Sequence, residues 1–399
     1  MGEQTGGPEG GDDARAVHAA ALAGLPGMTP ARLARLLDGL DPSLAWHAVA
    51  AGAHPGDPER RFESAACATD VATVEDAYLE AGVSILLRDT VGYPARLVGD
   101  RGQPAVLFAR GDPSCVDRQP SAAIVGTRAA THYGRGMAAE IAGDLSAAGV
   151  TVVSGLAKGI DGAAHTAVVR RHDRVGEPVA VVGTGLDVAY PRSQSALWAA
   201  VGEHGAVVSE QPLGTLPRPG VFPARNRIIA ALSDVVVLVE CHHRGGSLYT
   251  AEAAARRGIP VGAVPGSVRS PASSGCNALI ADGCFPVRDA ADVFCAIELA
   301  RAEPVARPGP HRLGDGQHRR RGGWLVGHER RPRHAAGRPE VERASDEQRR
   351  VLEAMDDHPT GLETILLRTG LPIATVALAC EELVDRQAVV TGPGWWARA

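Results

Sequence analysis

Cationic and small polar residues follow several apolar runs in the middle of this 399-residue chain. The run ending at Val125 is followed by Gly-Thr-Arg, and the run ending at Val153 is followed by Ser-Gly-Leu-Ala-Lys-Gly. Glycines let a ligand approach the backbone closely, and hydroxyls, cationic side chains and helix N-termini attract anions. These residue types therefore predict the binding of phosphate groups. Five cationic side chains are expected at the site, namely Arg128, Lys158, Arg192, Arg225 and Arg227.

Catalytic alternatives have weaker support in the sequence. The first apolar run lacks the GxGxxG fingerprint of dinucleotide-binding proteins, and the chain has no Walker A sequence. Asp161 and His165 have an i, i+4 spacing that could hold a metal, but a third ligand is missing nearby. We therefore interpret Asp161 as a helix cap and His165 as a packed side chain. Ser154 and Ser209 have no predicted base beside them. We predict no catalytic residue, no metal and no cofactor.

A parallel sheet is the element that must bring the cationic residues together. Apolar runs alternate with helical stretches between residues 121 and 294, which is typical of an α/β fold. The carboxyl ends of parallel strands meet at one edge of a sheet, where open α/β sheets bind their ligands. The sequence therefore predicts a Rossmann-like layer with a cationic edge. Six parallel strands are predicted, at residues 122–126, 150–154, 178–183, 206–209, 234–240 and 259–266.

The charge of the whole chain is mildly negative. The sequence has 41 Lys and Arg residues against 46 Asp and Glu residues, a formal charge of −5, and its single lysine is Lys158. This balance excludes a uniformly cationic surface but leaves room for a local basic one. No apolar run reaches the length of a membrane span, so we expect no spanning helix, and from the acidic, glycine-rich first residues we expect no secretory signal. Seven cysteines without a CxxC pair favour free thiols, so we expect a cytoplasmic protein.

The order and spacing of the glycine-rich motifs resemble those of the DprA/Smf family of DNA-processing proteins. The motifs are GTR, VSGLAKGIDGAAH, GTGLDVAYP, FPARNRIIAALSD and GGSLYTAEAA. This resemblance implies a homodimer that binds single-stranded DNA on the Rossmann-like domain. It also implies loading of the RecA recombinase in DNA uptake, transformation and recombination, with single-strand-binding protein as a further candidate partner. The alternative is a small-nucleotide-binding enzyme or sensor of a related Rossmann-like fold.

The predicted sheet edge and the resemblance together assign the DNA-binding residues. Phe222 is a candidate for stacking on an unpaired base, with core packing as the alternative. Gly245 stands where the family usually has a serine, which removes one candidate phosphate donor. The assigned residues are Gly126, Thr127, Arg128, Ser154, Gly155, Lys158, Gly159, Asp161, Arg192, Phe222, Arg225, Asn226, Arg227, Gly246 and Ser247.

Composition and periodicity divide the chain into six segments. The predicted fold class is α/β, with a small N-terminal helical domain before the Rossmann-like domain and a winged-helix domain after it. The segments are a disordered N-terminus at 1–14, a helical domain at 15–80, a connecting segment at 81–120, the Rossmann-like DNA-binding domain at 121–298, a basic flexible linker at 299–340 and the winged-helix domain at 341–399.

The third helix predicted in the winged-helix domain, at residues 372–385, is acidic. It carries Glu381, Glu382 and Asp385. In DNA-binding relatives of this architecture one helix enters the major groove, and carboxylates in that position would repel phosphates. We therefore predict that this domain contacts protein or has a structural role. The alternative of a double-stranded-DNA regulator is disfavoured.

Overall fold

The computed structural model describes two separate parts of the chain, residues 9–302 apart from 219, and residues 345–398 apart from 356–359, 372–374, 377–378, 381–382, 384–388 and 393–394. The two parts belong to two compact units. The linker predicted at 299–340 lies outside the described residues from residue 303 onward, and residues 299–302 end a helix. No helix of the described segments is long and apolar enough to cross a membrane.

In the part of the chain that the structure describes, five helices precede the sheet: α1 Glu9–Gly24, α2 Pro30–Leu36, α3 Pro42–Ala50, α4 Glu63–Cys67 and α5 Val71–Glu80. Helix α1 includes residues 9–14, which were expected to be disordered, whereas residues 1–8 lie outside the described residues. Thr29 caps α2, because its Oγ1 accepts a hydrogen bond from Arg32 N at 3.3 Å, and Pro30 suits the first turn.

The N-terminal helices pack against one face of the sheet. Leu22 and Leu36 are fully buried in the same apolar cluster as Val207 of a central strand. The rings of Tyr78 and Phe108 stack with their centroids 5.1 Å apart. The helical segment therefore shares a continuous core with the sheet, and burial of this apolar surface stabilises both.

Nine strands of the described residues 9–302 form one sheet: β1 Val83–Leu87, β2 Val106–Gly111, β3 Ser121–Val125, β4 Thr151–Ser154, β5 Pro178–Val182, β6 Ala206–Ser209, β7 Val235–Leu238, β8 Val261–Ala263 and β9 Phe285–Pro286. Their spatial order is β1-β2-β6-β5-β4-β3-β7-β8-β9. Strands β3 to β9 run parallel, which confirms the six predicted strands as β3 to β8.

Three strands lie outside the prediction of six. Strand β2 pairs antiparallel with β6, and β1 pairs antiparallel with β2, so the segment at 81–120 extends the sheet instead of only leading to it. Strand β9 has only two residues, which is too short to produce a recognisable apolar run.

Helices cover both faces of the sheet: α6 His132–Ala147, α7 Ile160–Arg170, α8 Ser195–His204, α9 Val221–Ala231, α10 Leu248–Ala255, α11 Ser274–Ala281 and α12 Ala290–Ala302. Successive strand residues point to opposite faces. Ile124 packs with α6, α7 and α12, whereas Val125 packs with α9, α10 and α11. The result is the Rossmann-like three-layer arrangement, with the loops that follow the parallel strands on one edge.

The second unit contains α13 Asp346–Ala354, β10 Thr360–Gly361, α14 Leu362–Thr369, β11 Val389–Gly392 and β12 Trp395–Arg398. The strands form an antiparallel sheet in the order β10-β12-β11. Val376, Cys380 and Leu383 are buried at helical spacing in one cluster with Val351 and Ile365. This arrangement agrees with the predicted winged helix.

The acidic side chains predicted for the third helix of this unit, Glu381, Glu382 and Asp385, lie outside the described residues. The role that they suggest for the domain stays a prediction.

Candidate nucleic-acid interface

The loop after β3 presents Arg128 to solvent. Thr127 N donates a hydrogen bond to the carbonyl oxygen of Glu240 at 2.7 Å, which ties the loop to the segment after β7. The buried Glu240 carboxylate accepts hydrogen bonds from Thr131 N at 2.8 Å and from Thr131 Oγ1 at 2.6 Å. Since Thr131 is the N-cap of α6, Glu240 fixes the loop through its carbonyl oxygen and the helix start through its carboxylate. Gly126, Thr127 and Arg128 therefore lie on a well-anchored backbone.

The loop after β4 holds Lys158 beside this first loop. Gly159 has a φ of +81°, and a Cβ at this position would lie 2.2 Å from the carbonyl oxygen of Thr127, so only glycine fits. On the other side, Gln194 Nε2 donates a hydrogen bond to the carbonyl oxygen of Ala157 at 2.6 Å. The backbone around Lys158 is thus held from two directions while its side chain is exposed.

Two aromatic rings lie next to these cations. The guanidinium carbon of Arg128 lies 4.9 Å from the centroid of the Phe222 ring, which is within cation–π distance. The Tyr190 ring packs against the same phenylalanine, with centroids 5.4 Å apart and an interplanar angle of 32°. Phe222 is half-buried and Tyr190 is 38% exposed, so the stack is a surface feature. We call Arg128, Lys158, Tyr190, Arg192 and Phe222 the edge cluster.

Tyr190 and Gln194 are additions to the residues assigned from the sequence. Tyr190 belongs to the segment AYP after β5, where an aromatic residue directly before Pro191 and the exposed Arg192 could have been noticed. Gln194 contacts a loop 37 residues earlier in the chain, so no local pattern indicates its role.

Arg225 lies behind the edge cluster and is buried. Its Nη1 donates hydrogen bonds to the carbonyl oxygens of Gly155, at 2.7 Å, and of Val181. Its Nε donates to Asn226 Oδ1 at 3.1 Å, and its Nη2 lies 3.9 Å from Asp161 Oδ2. The guanidinium therefore donates its hydrogen bonds within the protein, and it connects the end of β5 to the loop after β4.

The electrostatic environment of this pair reflects its burial. Desolvation lowers the pKa of the Arg225 guanidinium to about 10, and the negative charge of Asp161 opposes that shift. Desolvation also raises the pKa of the Asp161 carboxyl, and the positive charge of Arg225 opposes it. Each charge thus favours the ionised form of its partner, in a place where a lone charge would be costly.

The expectation of five free cations at one edge needs correction. Arg225 is buried, and Arg227 forms an ion pair with Glu210, whose Oε1 lies 2.6 Å from its Nη2. Ser154 is also buried, and its Oγ donates a hydrogen bond to the carbonyl oxygen of Ile124 at 2.6 Å. Sequence spacing places a residue after a strand, whereas burial depends on contacts that only the fold creates. Three of the five cations, Arg128, Lys158 and Arg192, are exposed.

His165 is a packed core side chain, as predicted. It is fully buried, and its Nε2 donates to the carbonyl oxygen of Val179 at 3.3 Å. Desolvation and the nearby positive charge of Arg225 lower its pKa to about 4. Asp161 lies inside the first turn of α7 instead of capping it, since the N-cap is Gly159. Among the described residues, no group of three or more His, Cys, Asp or Glu side chains could hold a metal ion.

The turn before α10 completes the edge. Asn226 Nδ2 donates to the carbonyl oxygen of Gly246 at 3.2 Å, so the FPARNR segment and this turn are connected. Gly246 is exposed, whereas Ser247 is buried and its Oγ has no hydrogen-bond partner in the described part of the chain. Asn226 and Ser247 are therefore placed behind the surface that a ligand would meet, and Gly246 lies on it.

Two family models match the chain. The family described as DNA recombination-mediator protein A matches residues 84–298, and the DprA winged helix domain matches residues 334–383. The first match covers the nine-stranded sheet from the second residue of β1 onward and all residues of the edge cluster. The second includes α13 and α14 of the C-terminal unit.

Individual relatives agree with the family matches. A Mycobacterium tuberculosis relative that carries the DprA name is 44% identical over 211 residues, which are 52% of this chain and 53% of that protein. The match thus spans about half the length of that relative. DNA processing protein DprA of Bacillus subtilis is 37% identical over 218 residues, which are 55% of this chain and 72% of that protein.

A solved structure shows the same fold. The X-ray structure of DNA processing protein A (DprA) from Streptococcus pneumoniae superposes with a TM-score of 0.61 at 32% sequence identity. The superposition covers 71% of this chain and 97% of that one.

Proposed function

Because this chain belongs to the DNA recombination-mediator protein A family, we propose that it binds single-stranded DNA at the edge cluster. The observation that carries the proposal is the stack of Arg128 on Phe222, 4.9 Å from guanidinium carbon to ring centroid, beside the exposed Lys158. Cations that contact phosphates supply affinity without reading sequence. An aromatic ring supplies a stacking surface for a base, and only an unpaired base is available to it.

The edge cluster divides the work between charge and stacking. Arg128, Lys158 and Arg192 neutralise phosphates, and the exposed glycine backbone at Gly246 lets the strand approach. Phe222 stacks on a base, and the Tyr190 ring packs against Phe222 and helps to hold it in place. We assign supporting roles to the buried members of the predicted site, which hold the loops in place: Ser154, Gly155, Asp161, Arg225, Asn226 and Ser247.

The proposed cellular role is to pass the bound strand to the RecA recombinase during recombination and transformation. The description of the family as recombination mediators supports this role. We further propose that the protein acts as a homodimer and displaces or bypasses single-strand-binding protein. The test is RecA-driven strand exchange on DNA coated with single-strand-binding protein. Acceleration by this protein is expected, and no acceleration at saturating protein would contradict the RecA role while leaving DNA binding intact.

Fluorescence anisotropy with labelled oligo-dT across a salt series tests the binding surface. The double variant Arg128→Ala with Lys158→Ala removes two exposed cations. Because two phosphate contacts are lost, the affinity for oligo-dT should fall at least about tenfold. The slope of log affinity against log salt should shrink by about 1.4, since each contact on a single strand contributes about 0.7.

A matched control variant removes the same formal charge elsewhere. Arg256 and Arg288 are exposed, and each forms an ion pair with a carboxylate four positions away in the chain, Glu252 and Asp292 respectively. Arg256→Ala with Arg288→Ala should therefore leave the affinity and the salt slope near those of the wild type. If the two double variants had the same affinity for oligo-dT and the same salt slope, the assignment of the edge cluster would be wrong.

A further inference from the structure

A shallow groove between α6 and α7 begins at the edge cluster. Its volume is about 560 Å³, and Lys158 lines it together with residues of both helices. Lys158 lies one residue before the N-cap of α7, Gly159. Arg170, the last residue of that helix, lines the groove as well. The groove therefore continues from the edge cluster along the length of a helix, and Lys158 belongs to both surfaces.

The groove is cationic along its length. Arg135, Lys158 and Arg170 line it and are exposed. None of the three forms an ion pair with a carboxylate of the described residues, and Arg135 donates instead to the carbonyl oxygen of Ala130. The remaining lining side chains are small or uncharged, including Ala139, and none is acidic or aromatic. In a protein with more acids than bases, such a surface is an anion-binding feature.

The positive charge ends where the groove meets a second hollow. This hollow of about 420 Å³ shares Ala139, Ala167 and Arg170 with the groove. There, Arg171 is neutralised by two carboxylates, Asp144 at 3.0 Å and Asp173 at 2.8 Å. The unpaired cations of the groove therefore extend from Lys158 at the edge cluster to Arg170 at the far end of α7, where the second hollow begins.

We propose that this groove binds the phosphate backbone of the same single strand as it leaves the edge cluster. The inference rests on the proposed function, since the edge cluster must hold the strand first. The small side chains on the groove floor, such as Ala139 and Ala163, let a sugar–phosphate backbone approach, and the cations on the rim meet its phosphates. Without a lining aromatic ring the groove holds the backbone and leaves the bases free, so it acts on any sequence.

The length of the groove sets how much DNA it holds. Helix α7 has 11 residues, so at about 1.5 Å per residue it is roughly 16 Å long. A stacked strand advances about 3.4 Å per nucleotide, so roughly four or five nucleotides fit along the helix, and fewer if the strand is stretched. An oligonucleotide that fills only the edge cluster should therefore not contact Arg135 or Arg170.

The test compares two lengths of oligo-dT, about four and about twenty nucleotides, in anisotropy titrations across salt. Arg135→Ala with Arg170→Ala should weaken binding of the long strand about tenfold and reduce its salt slope by about 1.4. Binding of the short strand should be unchanged. The Arg256→Ala and Arg288→Ala control should leave both strands unaffected, because its cations are already paired.

Each other outcome has a definite meaning. If the groove variant binds the long strand as the wild type does, the inference is overturned, and the effect of Arg128→Ala with Lys158→Ala still supports the proposed function. If both lengths lose affinity equally, the groove is not a separate surface and the inference fails. If DNA binding is unchanged but the mass in solution shifts, the groove contacts protein instead. If the wild type binds neither length, the proposed function itself fails.

Discussion

Arg128 and Arg225 lie in neighbouring parts of one sheet edge but in opposite environments. Arg128 is exposed and contacts one aromatic ring. The side chain of Arg225 is only 8% exposed, and its donors are taken up by Gly155, Val181 and Asn226. The comparison shows that an arginine of the FPARNR motif can serve the fold instead of facing solvent. It predicts that stability and DNA affinity can be changed separately.

The largest expected effect comes from removing the buried cation. Arg225→Ala leaves the buried Asp161 carboxylate without its partner, so the free energy of unfolding should fall by about 3–5 kcal/mol in urea denaturation. Arg128→Ala should change it by less than about 0.5 kcal/mol, because its side chain is exposed. The double variant Asp161→Asn with Arg225→Met removes both charges and should recover part of the loss. An Arg225→Ala protein as stable as the wild type would contradict the structural role assigned to Arg225.

The second effect is a loss of stability in acid. Burial lowers the pKa of His165 to about 4 from its ordinary 6.5, so the folded protein resists protonating this ring. Above pH 6.5 the ring is neutral in both the folded and the unfolded protein, so the free energy of unfolding keeps its full value. As the pH falls from 6.5 to about 4, only the unfolded protein takes up a proton at this ring, and stability is lost. The difference of about 2.5 units corresponds to about 3 kcal/mol.

Urea denaturation between pH 7.5 and pH 4 measures this effect. His165→Leu should flatten the dependence in that range, whereas His243→Leu, at an exposed position, should keep the wild-type slope. A wild-type slope in the His165→Leu protein would show that another group is responsible.

The smallest effect concerns the exposed contact between Arg128 and Phe222, where DNA affinity should change. Phe222→Leu removes the aromatic face but keeps an apolar side chain of similar size. Binding of oligo-dT should weaken by about 1–3 kcal/mol, the contribution of one stacked base. The salt slope should not change, because no cation is removed. A change in slope without a change in affinity at low salt would argue against stacking.

The parallel part of the sheet could be predicted from the sequence because parallel strands produce continuous apolar runs. The runs at β3 to β8 are separated by helices of regular spacing, so their order also places the loops that follow them. Strand β1 pairs antiparallel with β2, the next strand along the chain, and the position of both in the sheet depends on the antiparallel contact between β2 and β6. That contact joins residues about a hundred positions apart, which no local pattern encodes.

The candidate site shows the same division. Arg128 and Lys158 could be assigned because each follows a strand directly within a glycine-rich turn. Arg225 and Arg227 occur in one short motif, yet one points into the core and the other pairs with Glu210. Helical spacing turns neighbouring residues to different sides, so the motif alone does not tell which cation faces a ligand.

The anchored loops have a thermodynamic consequence. Gly159 packs against the carbonyl oxygen of Thr127, and Gln194 holds the carbonyl oxygen of Ala157, so the Lys158 loop has few alternative shapes. A ligand that binds here meets a surface that is already arranged, and the protein loses little conformational entropy on binding. The ordering cost therefore falls on the flexible strand, which makes the rigidity of the loops a direct contribution to affinity.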